Sequence, residues 1–214
     1  MSLMKYENRG VSFEYDTDIW EVRNGFLRFK ESYVGPIDLP KGVPSCVEMF
    51  SGVHMREGCF FRDFDTTDIK NMQGMFSNAS FPEGFSFGEK FVTDNVTNMN
   101  KMFESCTFPE NFKLPETFRT LGVTNMESMF ENCRLPVGFD FGESFTLEGA
   151  RYTRFMFRSA FFSDGIKPRN KLDVRDDCIS KGMFKSCKFP NDFVASEWFS
   201  KPLSKLKNLG IDLE

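Results

Sequence analysis

A Met-Phe pair recurs at 49/50, 75/76, 102/103, 129/130, 156/157 and 183/184, with a spacing of 26 residues once and 27 residues four times. Self-similarity at a fixed period of about 20 to 50 residues marks a chain of repeated units, each burying its apolar face against its neighbours. The clearest copy is Val123-Thr-Asn-Met126-Glu-Ser-Met129-Phe130-Glu-Asn-Cys133. Counted from the Met of each pair, Val43, Ile69, Val96, Val123 and Ala150 lie six residues earlier, and Cys46, Met72, Met99 and Met126 three earlier. Val53, Ala79, Cys106, Cys133, Ala160 and Cys187 lie four later. Offsets of −6, −3, 0, +1 and +4 form one stripe at helical spacing, which predicts a short helix, or mixed α and 3₁₀ turns, from the Val to the Cys. Asp68, Asn95, Gly122, Gly149 and Asp176 precede that block and suit a helix start.

Past the small-residue position come Phe81-Pro82, Phe108-Pro109, Leu135-Pro136 or Phe189-Pro190, then Phe85, Phe112, Phe139 or Phe193. Apolar alternation after a Pro that stops the preceding segment predicts a short half-buried strand, with equivalent strands pairing in parallel about 4.8 Å apart. Each unit therefore reads as strand, loop, short helix and turn. Residues 1–36 read as an N-terminal β cap, because Val11–Tyr15 and Trp20–Phe29 alternate around Asn24-Gly25, a two-residue hairpin signal. Residues 37–195 hold about six repeats. Residues 196–214 read as a capping helix, with Leu203, Leu206 and Leu209 on one face and Gly210 behind them. The expected fold class is an α/β solenoid, one structural domain with a β-hairpin cap and a helical cap.

Val96-Thr-Asn-Met99-Asn-Lys-Met102-Phe103-Glu-Ser-Cys106, its copy at 123–133 and the lead-in Asp65-Thr-Thr-Asp-Ile-Lys-Asn-Met72 resemble the BspA-type leucine-rich repeat family of bacterial proteins. The resemblance covers roughly residues 37 to 195. It implies a leucine-rich-repeat-like right-handed superhelix used most often as a protein-binding or adhesion surface, and it brings no catalytic residues or cofactor.

The 28 Phe and 12 Met supply the core such repeats require. Cys106, Cys133 and Cys187 share the small-residue position, Cys46 replaces a Met and Cys59 a strand Phe, so the cysteines read as small core hydrophobes. There is no CxxC pair, and His54 is the sole histidine, which argues against a metal centre. Cys106 and Cys133, one repeat apart, are a candidate disulfide only under oxidising conditions. An enzyme would need His54 beside Cys46 or Cys59 in an open cleft. No apolar run reaches 18 residues and no signal-peptide pattern opens the chain, so no membrane insertion and a cytoplasmic location are expected, or a secreted or cell-surface one if a signal peptide has been removed.

Function is then expected in the outward positions. Asn71, Asn98 and Asn125 form a ladder read as structural, each amide serving backbone groups of adjacent turns, and Glu89, Glu116, Glu143 and Glu197 form an acidic row broken by Asn170. The fifth unit departs from the pattern with Arg151, Tyr152, Arg154, Phe155 and Arg158, followed by Lys167, Arg169, Lys171 and Arg175. Residues 151–188 carry ten Lys/Arg against four Asp/Glu, net +6, whereas 60–149 carry seven against fourteen, net −7. Such polarity steers an acidic partner to one end. The expectation is a non-catalytic module binding a protein through the basic and aromatic patch, with nucleic acid disfavoured by the overall charge of −4. A plainer account pairs these Arg residues with Glu131 and Glu104 of preceding units. The alternative function is an acidic decoy or inhibitor of a nucleic-acid-handling host system.

Overall fold

The computed structural model describes residues 2–8, 10–202 and 209–211. The N-terminal part is two antiparallel hairpins: β1 (Leu3–Asn8) with β2 (Val11–Asp16), and β3 (Trp20–Arg23) with β4 (Phe26–Phe29). Asn24 and Gly25 both adopt positive φ, 52° and 81°, as a two-residue type I′ connection requires. Phe29 then donates its N–H to the Met49 carbonyl at 2.9 Å, which joins the hairpins to the first Met-Phe pair.

Beyond this, ordered pairing is sparse. β5 (Pro36–Ile37) pairs in parallel with β6 (Phe60–Phe61), and β7 (Arg134–Leu135) with β8 (Phe161–Phe162). Isolated parallel bridges link equivalent positions, running Asn71 to Asn98 to Asn125 to Tyr152 to Ile179 on one row and His54 to Ser80 to Thr107 to Arg134 on another.

The α/β solenoid of strand-loop-helix units with a helical cap is not what forms. Among the described residues the one helix is α1 (Ala195–Trp198), four residues long, and each sheet has two strands. The block expected to be helical is two successive four-residue turns. Met75 N–H bonds to Met72 O at 3.1 Å and Ala79 N–H to Phe76 O at 2.9 Å, and Met102, Cys106, Met129 and Cys133 repeat this. The third residue of each turn has positive φ: Gly74 and Asn78, Lys101 and Ser105, Ser128 and Asn132, Phe155 and Ser159, Gly182 and Ser186. A bonded four-residue turn with φ > 0 at its third residue is the type II pattern, and it cannot propagate as a helix. Its N–H groups serve the next unit instead: Met72, Gly74, Phe76 and Asn78 donate to the carbonyls of Asn98, Asn100, Met102 and Glu104 at 2.7–2.9 Å.

The expected strand after the Pro forms only in part: β6 occupies that position in the first unit, and an isolated parallel bridge from Lys113 to Asp140 marks it further along. There Phe85, Phe139 and Phe193 donate back to Pro82, Pro136 and Pro190 as turns, while β7 and β8 lie just before the Pro position. Of the expected capping helix, residues 203–208 and 212–214 lie outside the described residues. Leu209 is buried, and its carbonyl accepts the Phe184 N–H at 2.7 Å, the place the next Met would take.

The apolar positions all turn inward. The Phe of each pair is fully buried, and the rings lie face to face in sequence: Phe76 on Phe103 at 5.5 Å, Phe103 on Phe130 at 5.3 Å, Phe130 on Phe157 at 5.6 Å and Phe157 on Phe184 at 5.2 Å. Burial of each such ring contributes about 1.5–3 kcal/mol by removal from water. A polar row runs beside them that the apolar pattern does not reveal. The buried hydroxyls of Thr66, Thr93 and Thr120 each donate to a carbonyl and accept an N–H of one residue in the next unit, Val92, Arg119 and Thr146, at 2.6–2.8 Å.

Candidate partner-binding surface

Because the double turn points its −3, 0, +1 and +4 residues inward, the −4, −2, +3 and +5 rows make most of the outer surface, while the −1 and +2 rows are partly covered, with Ser77, Ser128 and Glu131 buried. On the −4 row, Asn71, Asn98 and Asn125 each accept the N–H two residues on, from Gln73, Asn100 and Glu127, at 3.0 Å. Each amide oxygen thus caps its own turn, rather than the backbone of the neighbouring unit as expected. Tyr152 and Ile179 continue this row, bridged to each other, and neither side chain can make that bond. They stand 42% and 48% exposed.

The −2 row reads Gln73, Asn100, Glu127, Arg154, Lys181, and the +2 row Ser77, Glu104, Glu131, Arg158, Lys185. Each row passes from neutral to acidic to basic. Arg154 pairs with Glu127 at 3.0 Å, and Arg158 Nε bonds to Glu131 Oε1 at 2.8 Å, with the Glu131 side chain 4% exposed. The Arg158 guanidinium also covers the Phe155 ring at 4.4 Å. Of the pairings expected, Glu131 does meet an Arg of the fifth unit, whereas Glu104 is held by Lys101 at 3.1 Å and by the Ser77 hydroxyl at 3.2 Å. Arg151 is exposed near Asp177, whose carboxyl is held below its ordinary value chiefly by hydrogen bonds from Arg175.

Lys167, Arg169 and Lys171 do not share these partners. Lys167 pairs with Glu197 at 2.8 Å, and Arg169 reaches Asp140 at 2.6 Å and Glu143 at 3.3 Å. The Arg169 hydrogen bonds hold the Asp140 carboxyl below the usual carboxylate range. The eight residues singled out from the sequence therefore divide into two groups with separate acidic neighbours, and four of their six cations are paired. These pairs also interrupt the acidic row, since Glu143 and Glu197 each face a cation. Among the described residues, no carboxylate pairs with Lys171, Lys181, Lys185 or Lys188.

The remaining chemistry-bearing groups are quiet. His54 Nδ1 lies 2.9 Å from Ser80 Oγ on the exposed +5 row. Cys106 and Cys133 are buried free thiols that donate to the carbonyls of Phe76 and Phe103 at 2.7 and 2.8 Å. Burial pushes both thiols up, Cys133 to about 12, against about 8.5 for an exposed thiol. A folded-state value above the unfolded one gives a contribution that is complete below about pH 8.5 and is lost as the pH rises toward 12. In iodoacetamide labelling near pH 8, Cys106 and Cys133 are expected to stay unmodified in the native protein and to react once denaturant is added; rapid native labelling would contradict their placement.

Among the described residues no helix is long and apolar enough to cross a membrane. A family model described as "Mycoplasma protein of unknown function, DUF285" matches twice, over residues 44–160 and 88–198, which together span 44–198 of the 214 residues. That match is to a repeat family and does not single out the BspA-type leucine-rich repeat. No curated protein and no solved structure matches the chain.

Proposed function

The chain belongs to the DUF285 family of Mycoplasma-type repeat proteins, and from that premise we propose that it is a non-catalytic module binding a protein partner through the outer rows of its fifth and sixth units. The observation that carries this is the −4 row. Three units spend it on an Asn that caps a turn, and the next two put Tyr152 and Ile179 there, exposed and bridged side by side. Fold maintenance does not account for an aromatic and a branched aliphatic residue in that place, and exposed apolar groups that adjoin one another mark contact surfaces. Phe161, also exposed, lies on the +5 row of the same unit under the Arg134 guanidinium at 5.0 Å. The acidic-decoy reading has less support, because Arg169 and Lys167 close off part of the acidic row.

The test is affinity capture from lysate on the immobilised chain, followed by cross-linking to map the contact. A Tyr152→Ser/Ile179→Ser variant is expected to fold normally, since both side chains are outside the core, and to lose the captured protein. Equal capture by the variant, or no protein held above a denatured-chain control, would remove this reading. Reversal of Arg154 or Arg158 is a poorer test, because losing Arg158 strands a buried Glu131 and confuses binding with stability.

A further inference from the structure

The surplus positive charge of this end is not where the arginines are. Arg154 and Arg158 are matched by Glu127 and Glu131, so the rows first become uncompensated one unit later, at Lys181 and Lys185. These two lysines line a cleft with Cys178, Ile179, Ser180, Gly182 and Gly210. Among the described residues no carboxylate lines it. Among the described residues, Asp176 and Asp177, which precede Cys178 in sequence, are engaged by Lys201 at 2.7 Å and Arg175 at 2.8 Å. The cleft floor is narrow-backed by design of its glycines. Gly182 has φ 71°, and a Cβ there would stand 2.9 Å from the Phe155 ring; Gly210 has φ 71°, with the backbones of Gly182 and Lys185 3.3 Å from where its Cβ would be. The two glycines thus leave room that a side chain would take, and the opening is lined by Ile179 and by the two lysines.

We propose that this cleft is the docking site for a short acidic segment of a protein partner, one that places an apolar side chain against Ile179 and Tyr152 and carboxylates against Lys181 and Lys185. The inference rests on the protein-binding reading above and adds the chemistry of the partner and the unit it meets. Charge complementarity selects the occupant. Two lysines with no carboxylate partner among the described residues, beside an exposed apolar pair, match a segment of mixed acidic and apolar residues, and Lys188 at the bridged +5 position extends the same positive strip.

The test titrates a fluorescein-labelled peptide of about twelve residues, Glu-rich with a central Leu and Phe, into the full chain and follows anisotropy. Lys181→Glu/Lys185→Glu is compared with wild type and with Arg56→Glu/Lys70→Glu, which makes the same charge change on exposed residues at the other end. Wild type is expected to bind, with affinity falling about tenfold or more in the Lys181/Lys185 variant, and weakening between about 50 and about 300 mM salt as screening shortens. The control variant is expected to stay within about twofold of wild type. Undiminished binding by the Lys181/Lys185 variant, or no binding by wild type, would overturn the proposal. So would a single-stranded RNA of similar length displacing the peptide from wild type, which makes the site a nucleic-acid one. Self-association of wild type that the lysine reversal abolishes would assign the cleft to a second copy and overturn it too. A captured partner whose cross-links avoid residues 178–188 would sink this site while leaving the protein-binding reading standing.

Discussion

Replacing Phe130 by alanine is expected to lower stability by about 3–5 kcal/mol, the range for truncating a buried aromatic ring. Phe130 has no exposed surface and lies between Phe103 at 5.3 Å and Phe157 at 5.6 Å, with interplanar angles of 13° and 3°. Phe139, Phe141 and Phe145 meet it edge-on at 5.6 to 6.2 Å. Five rings therefore face the space a methyl group would leave, and they cannot close it without breaking the row on both sides. The backbone offers no relief, because Phe130 N–H is fixed to Met156 O at 2.8 Å and Cys133 N–H to Phe130 O at 3.3 Å. For a chain of this size the loss corresponds to a fall in Tm of about 6–20 °C. Phe161→Ala, on the exposed +5 row, is the matched comparison and is expected to change Tm little. A Phe130→Ala protein melting within about 2 °C of wild type would mean that the rings do not pack as a continuous row.

The core was legible in the sequence and the backbone was not, for one geometric reason. Two consecutive four-residue turns put the −3, 0, +1 and +4 residues inward, and so does one face of an α-helix, so Met126, Met129, Phe130 and Cys133 satisfy either backbone equally. The distinguishing residues are the outward ones. Gly74, Asn78, Asn132, Gly182 and Gly52 sit at the −1 and +3 positions, where positive φ is needed, and Asn and Gly are the types that accept it. Lys101 and Ser128 take the same φ without that signature, held there by N–H bonds to the Glu127 and Arg154 carbonyls of the next unit, and Phe155 takes it as well, which is why the signal is diluted. The basic patch was visible as composition, but which cations are spent on neighbours is a matter of register. Subtracting one repeat from Arg154 and Arg158 gives Glu127 and Glu131, so those pairs were within reach of arithmetic. That Lys181 and Lys185 have no such counterpart among the described residues emerges only once the rows are laid side by side.

Thr120→Val is expected to cost about 2–4 kcal/mol despite leaving the side-chain volume unchanged. The Thr120 hydroxyl is fully buried; it donates to the Thr146 carbonyl and accepts the Thr146 N–H, both at 2.7 Å. One hydroxyl thus serves both backbone groups of a single residue in the next unit, a role that needs a group able to donate and accept together. Valine keeps the shape and supplies neither, so a donor and an acceptor are stranded at once, each costing about 1–3 kcal/mol where water does not reach it. The chain itself shows how the row behaves when the hydroxyl is missing. Leu147 holds the equivalent position in the following unit, and there Asn170 Nδ2 reaches the Glu143 and Phe145 carbonyls at 2.7 and 3.1 Å. A row interrupted by an apolar residue is accompanied by a new amide on neighbouring carbonyls; a valine at position 120 would have no such substitute, since Thr146 is already bonded to the group being removed. Thr120→Ser keeps the hydroxyl and gives up one methyl, so it is expected to recover most of the loss, to within about 1 kcal/mol of wild type. Urea unfolding of the two variants decides the matter: equal midpoints for Val and Ser would show that the hydroxyl ladder carries no stability and that the units are joined by apolar packing and the main-chain bonds of the double turns alone.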